Sequence, residues 1–151
     1  MSTYVRNIFL ALFFALALGA CNKSDANNLQ TLESSRTEAS TASNAEIEQA
    51  FKARKSDVQV SGHGVVIKLL KDDNKGSRHQ KFLVRINTQQ TLLFAHNIDL
   101  APRVPLQTGD KISFYGEYVY NPKGGVMHWT HHAPRGDHAA GWIMHNSKKY
   151  Q

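Results

Sequence analysis

At 151 residues the chain has room for one domain of ordinary size. Its single cysteine is Cys21, so whatever folds after it has no thiol, which excludes disulfide staples, thiolate metal sites and cysteine nucleophiles. The 18 Lys and Arg against 12 Asp and Glu give a modest positive field that suits phosphate, nucleic acid, anionic glycan or lipid headgroups without choosing among them.

Residues 1–20 carry Arg6, then an apolar run from Ile8 to Leu18, then small residues. The run is too short to span a bilayer and nothing follows to stop transfer, so it reads as a secretory signal. Leu18-Gly19-Ala20-Cys21 resembles the lipobox of bacterial lipoproteins, in which the cysteine is acylated and becomes the first mature residue. That resemblance implies a membrane partner held through lipid on Cys21. With Asn22 rather than aspartate next, it also implies outer-membrane retention facing the periplasm.

Residues 21–44 are rich in Ser, Thr, Asn and Ala and bury too little to offset chain entropy, so a compliant tether is expected. The domain proper is assigned to residues 45–151. It opens with a short helix, Ala45 to Lys55, whose early Glu46 and Glu48 and late Lys52, Arg54 and Lys55 suit the helix dipole. Ile47 and Phe51 are its docking residues.

The remainder reads as β. Val58 to Leu70 is one long strand that bends at Gly62 and Gly64. Arg78 to Asn87 and Thr91 to Ile98 form a hairpin around Thr88-Gln89-Gln90. Asp99 to Asp110, with Pro102 and Pro105, is a connection. Lys111 to Tyr120 places Ile112, Phe114, Gly116, Tyr118 and Tyr120 on one face, and Val126 to His132 follows a Gly-Gly turn. After Gly141 the last segment, turning at Asn146-Ser147, is expected to cap one barrel mouth. Five β-segments, a bent first strand and a long connection after the third resemble a small OB-like five-stranded β-barrel; a small sandwich or another barrel shares the pattern.

Five of the eight histidines fall between Val126 and His145. On a continuous strand His128 and His132 would share one face and His131 the other; if the strand ends early, they could converge with Asp137 and His138. His128, His131, His132 and His138 are therefore candidate ligands for zinc, copper or nickel. Arg78 and His79 form a second cluster, with Arg78 a phosphate or carboxylate fork or simply a solvated side chain. His96 and Asp99 are a third, in which the carboxylate could orient the ring. Arg103 and Arg135 are further candidate anion contacts. Trp129, Tyr118 and Tyr120 could stack on a ligand or line the core.

GSRHQKF, AHNIDLAPR, GDKISFYGEY and HWTHHAPRG, in that order, resemble an uncharacterised bacterial lipoprotein family carrying a domain of unknown function, family 3465, over Val58 to Gln151. The resemblance implies a small exported β-domain and transfers no catalytic role. Two functions follow as expectations: a tethered module binding an anionic small molecule, glycan or nucleic acid, or a metal-dependent hydrolase of a phosphodiester. A purely structural lipoprotein is the third.

Overall fold

A computed structural model describes residues 44–151. The signal segment, Cys21 and nearly all of the tether lie outside the described residues. The chain forms a helix, α1, over residues 44–52, and seven strands: β1 (Val58–Leu69), β2 (His79–Arg85), β3 (Thr91–Asn97), β4 (Lys111–Val119), β5 (Val126–His128), β6 (Trp142–His145) and β7 (Lys148–Tyr150).

Pairing runs β1-β2-β3-β5-β4, and β4 pairs again with β1, closing a five-stranded barrel in which only β3 and β5 are parallel. This is the mainly β, OB-like architecture expected. Closure is possible because β1 serves two partners. Its first part, Val58 to Val65, lies along β4; its second, from Val65, turns onto β2 with a bulge between Val66 and Lys68. The change of partner falls at Val65, just past Gly62 and Gly64. A Cβ on Gly62 would stand 2.7 Å from both Ile47 Cδ1 and Phe114 Cζ, so glycine lets α1 press directly on the strand.

Strict alternation on β2, β3 and β4 sends Phe82, Val84, Leu92, Phe94, Ile112, Phe114 and Tyr118 inward. Phe94 stacks on Phe82 at 4.9 Å and meets Phe114 edge-on at 4.8 Å. From α1, Ile47 is fully buried, and Phe51 packs on Tyr120 at 5.7 Å. Buried amides close the remaining gaps. Asn44 donates to the carbonyls of His63 and Ile86 and accepts from the His63 amide, while Gln80 both donates to and accepts from Val104 in the proline-bearing connection.

The C-terminal segment differs from the expected cap. β6 takes up the edge of β4 where β5 ends, and β7 pairs back on it through a turn at Asn146 and Ser147, both at positive φ. It extends the sheet because β5 is only three residues long. His145 is buried there, its Nε2 3.0 Å from Asp110 Oδ2.

A histidine-lined cleft as the candidate functional site

The β5 strand stops because Trp129 adopts φ 48°, a left-handed conformation that an L-residue takes at a cost of roughly 1–2 kcal/mol. The alternation expected through His132 therefore ends at His128. From Trp129 to Gly141 the chain is a loop, tied down by Gly141 N–H donating to the His131 carbonyl at 2.8 Å and Gly136 N–H to that of Ala133 at 3.1 Å.

This loop lies against the outer face of β2, β3 and β5. The hairpin register sets His79 opposite Asn97 and Lys81 opposite Ala95, and the parallel pair sets Phe94 beside Met127, so His79, Ala95, Asn97 and His128 share the side away from the core. Between face and loop is a cleft of about 510 Å³. His79, Asn97 and His128 line it from the barrel, with Ser77, Asp99 and Leu100 at one end; Trp129, His131, Arg135, Asp137 and His138 line it from the loop. Three motifs far apart in sequence thus meet in one place.

The two loop imidazoles of the cleft, His131 and His138, are held in place. Nδ1 of His131 lies 2.7 Å from the His132 carbonyl and Nδ1 of His138 lies 2.8 Å from that of Ala139. A carbonyl only accepts, so both rings carry their proton on Nδ1 and present Nε2 as the free position. His138 also stacks on Trp129 at 4.5 Å and meets His131 edge-on at 5.1 Å. Burial, aided by other histidines, pushes His128 and His131 below the ordinary imidazole range, so both are neutral bases at neutral pH. Glu117, opposite His128 on β4, has its carboxyl pushed up by burial first and by the charge of Asp57 second. Sequence reasoning singled out neither Glu117 nor Asn97.

The fixed charges are balanced in pairs. Arg78 Nε donates to Asp99 Oδ1 at 2.7 Å, and its main-chain N–H donates to Oδ2 at 2.7 Å. These two bonds, the backbone one first, hold the Asp99 carboxyl below its usual range. Arg135 Nε and Nη2 lie 3.0 and 2.9 Å from Asp137 Oδ2 at the cleft rim. The side chains of Arg78 and Arg135 remain largely exposed. Arg78→Ala should lower the melting temperature by only a few degrees, because an exposed pair contributes little and Asp99 keeps its main-chain donor; a thermal melt checks this.

Other expectations are redirected. His96 does not pair with Asp99. Its ring is fully buried, Nε2–H donating to the Pro102 carbonyl at 3.2 Å and Nδ1 accepting from the Thr130 hydroxyl at 2.9 Å. It anchors the loop from inside the barrel because β3 alternation turns it toward the core. Arg103 pairs with Asp72 outside the cleft, and His132 is exposed with no place in the lining. Arg78 is a carboxylate fork, bound within the protein. Tyr118 is core, donating to the Gly124 carbonyl at 3.1 Å, and of the three aromatics Trp129 alone lines the cleft. Among the described residues no three His, Asp or Glu side chains stand where they could share one metal ion, so the four candidate metal ligands do not form a ready set.

Fold and cleft together define a small closed β-barrel with an external pocket built of imidazoles, one indole and internally balanced ion pairs. The chain belongs to the family described as Protein of unknown function (DUF3465), whose model matches residues 29–151. No curated protein matches it.

Proposed function

We propose that this protein is a binding module for an anionic ligand, held at the bacterial envelope by lipid on Cys21, outer-membrane and periplasm-facing. The observation that carries the binding reading is the convergence of His79, His128, His131, His138, Trp129 and Arg135 on one cleft of about 510 Å³. The rim guanidinium supplies donors, the loop imidazoles add Nε2–H donors once protonated, and the indole supplies a flat surface for a ring. Because the Arg–Asp pairs cancel, the cleft gains net positive charge only as its histidines protonate. Anion affinity therefore rises as pH is lowered through the depressed range of His128 and His131.

The metal-dependent hydrolase reading would require the loop to rearrange before three donors could meet one ion. The lipid anchor rests on Leu18 to Cys21 alone. Incorporation of a labelled fatty acid by the wild-type chain and its loss in Cys21→Ser tests it.

Binding is tested on the full chain by imidazole and indole NMR during titration with inorganic phosphate, adenosine monophosphate and a sulfated disaccharide. Saturable shifts of His128, His131, His138 and Trp129 are expected with at least one probe. His128→Ala should weaken that binding about tenfold, equivalent to about 1.4 kcal/mol. If no probe moves these resonances at pH 5 or pH 7, the binding reading is wrong.

A further inference from the structure

The two loop histidines are arranged for more than holding an anion. His131 and His138 touch edge-on, at 5.1 Å between ring centres, and both have Nδ1 anchored on a main-chain carbonyl. That anchor is a donor bond in either protonation state of the ring, so a proton can arrive at or leave Nε2 without disturbing the ring's position. The two rings are not equivalent. His131 is buried with its Nδ1–H engaged, whereas Nε2 of His138 faces the Asp137 carboxylate at 4.0 Å. Burial holds His131 as a free base near neutrality. Two anchored imidazoles side by side, one of them facing a carboxylate, with a guanidinium at the rim, match the demands of proton transfer at phosphorus. Lack of a three-donor ligand set among the described residues is no obstacle to such chemistry, since it takes no metal.

We propose that the cleft cleaves single-stranded RNA by metal-independent transphosphorylation, with His131 as general base and His138 as general acid. This rests on the anion-binding reading of the same cleft. His131 Nε2 takes the proton of a ribose 2′-hydroxyl as O2′ bonds to the adjacent phosphorus. The bond from phosphorus to O5′ breaks, and His138, entering as imidazolium, gives its Nε2 proton to that departing oxygen. The products are a 2′,3′-cyclic phosphate and a free 5′-hydroxyl; no oxidant, water or metal is consumed. Arg135 faces the charge that grows on the non-bridging oxygens, and Trp129, stacked on His138, offers its ring to a neighbouring base. The left-handed backbone at Trp129 is what brings the loop histidines over the barrel face.

The test uses the full chain with a short single-stranded RNA in excess EDTA, products being resolved by phosphorus NMR. A 2′,3′-cyclic phosphate and a bell-shaped pH profile are expected. His131→Ala and His138→Ala, purified identically, should each lose at least 100-fold in rate while His132→Ala keeps it. A 2′-O-methyl RNA of the same sequence should bind and remain intact. Binding of that analogue without cleavage of RNA overturns the catalytic proposal and leaves the binding reading standing; failure of both RNAs to engage the cleft overturns the catalytic proposal alone, the binding reading being decided by its own phosphate, adenosine monophosphate and disaccharide titrations. Circular dichroism on each variant separates loss of chemistry from loss of fold, and His131→Gln serves if His131→Ala unfolds. Cleavage that persists unchanged in both alanine variants also overturns the proposal.

Discussion

Lowering the pH from 7 to 4.5 should cost the folded domain about 2–3 kcal/mol through His96 alone, the free-energy equivalent of holding one imidazole neutral against protonation. His96 is pushed down from 6.5 to about 4, first by burial, with His131 and His79 adding to the effect; the bonds to Pro102 and Thr130 oppose it. The folded-state value lies below the unfolded one. Between about 6.5 and 4, the unfolded chain therefore binds a proton that the folded chain refuses, so stability falls as pH drops through this window and levels off below it. His128 and His131, also lowered, act in the same direction. Asp99 and Asp137 are held below the carboxylate range, so their contribution is lost only at more acidic pH.

Urea unfolding at the two pH values measures the loss. The decisive comparison is His96→Gln, whose amide can still donate toward Pro102 and accept from Thr130 but does not titrate. The variant should be less stable at pH 7 by about 1–3 kcal/mol, the cost of imperfectly satisfying buried polar groups. Its loss between pH 7 and 4.5 should be less than half that of the wild type. An unchanged pH dependence would show that the acid sensitivity originates elsewhere. Because Thr130 begins the cleft loop, protonation of His96 also loosens the roof of the site. Acid should therefore act in two opposing ways, charging the cleft while weakening its frame.

The barrel was legible because its pattern is local. Phe82 and Val84, Leu92 and Phe94, Ile112 and Phe114 alternate with polar residues at period two, and that alone sorts them to one face. β1 could be read as one long strand, though its change of partner falls at Val65 and its bulge at Val66 to Lys68, beyond Gly62 and Gly64, and the hairpin turn at Asn146-Ser147 could be placed. The cleft's chemistry was partly visible as well, since His79, His128, His131, Arg135 and His138 stood out by type. Their convergence was not, because it depends on two long-range facts. One is the parallel pairing of β3 with β5, which sets the GSRHQ motif on β2 and the HWTHH motif on β5 to either side of β3. The other is Thr130 bonding inward to His96, 34 positions away, which fixes the chain just after Trp129 turns out of the strand. Alternation read from Val126 to His132 had no means of anticipating that tertiary bond. Likewise the adjacency of His96 and Asp99 in sequence suggested a pair, while β3 sends the imidazole inward and the following turn takes the carboxylate to Arg78.

Gly141→Ala should cost about 2–3 kcal/mol, a typical penalty for adding atoms to a filled site, and should open the cleft although it touches none of its imidazoles. A Cβ at this position would collide with the Trp129 carbonyl oxygen, lie 2.5 Å from that of Tyr115 and reach 3.0 Å from Thr130 Cα. Every one of these neighbours is main chain, so no side-chain rotation relieves the contact. The loop must lift from β4, and the bond from Gly141 N–H to the His131 carbonyl is lost with it. Gly136→Ala is the contrast. A Cβ there meets nothing within 4 Å, and its φ of +66° leaves only backbone strain of roughly 1–2 kcal/mol. Urea unfolding should therefore rank Gly141→Ala below Gly136→Ala, and both below the wild type. Imidazole spectra should show His131 and His138 shifted in the first variant and undisturbed in the second. Equal stability of Gly141→Ala and the wild type would mean that the loop does not approach β4 this closely, and with that the cleft itself would lose its frame.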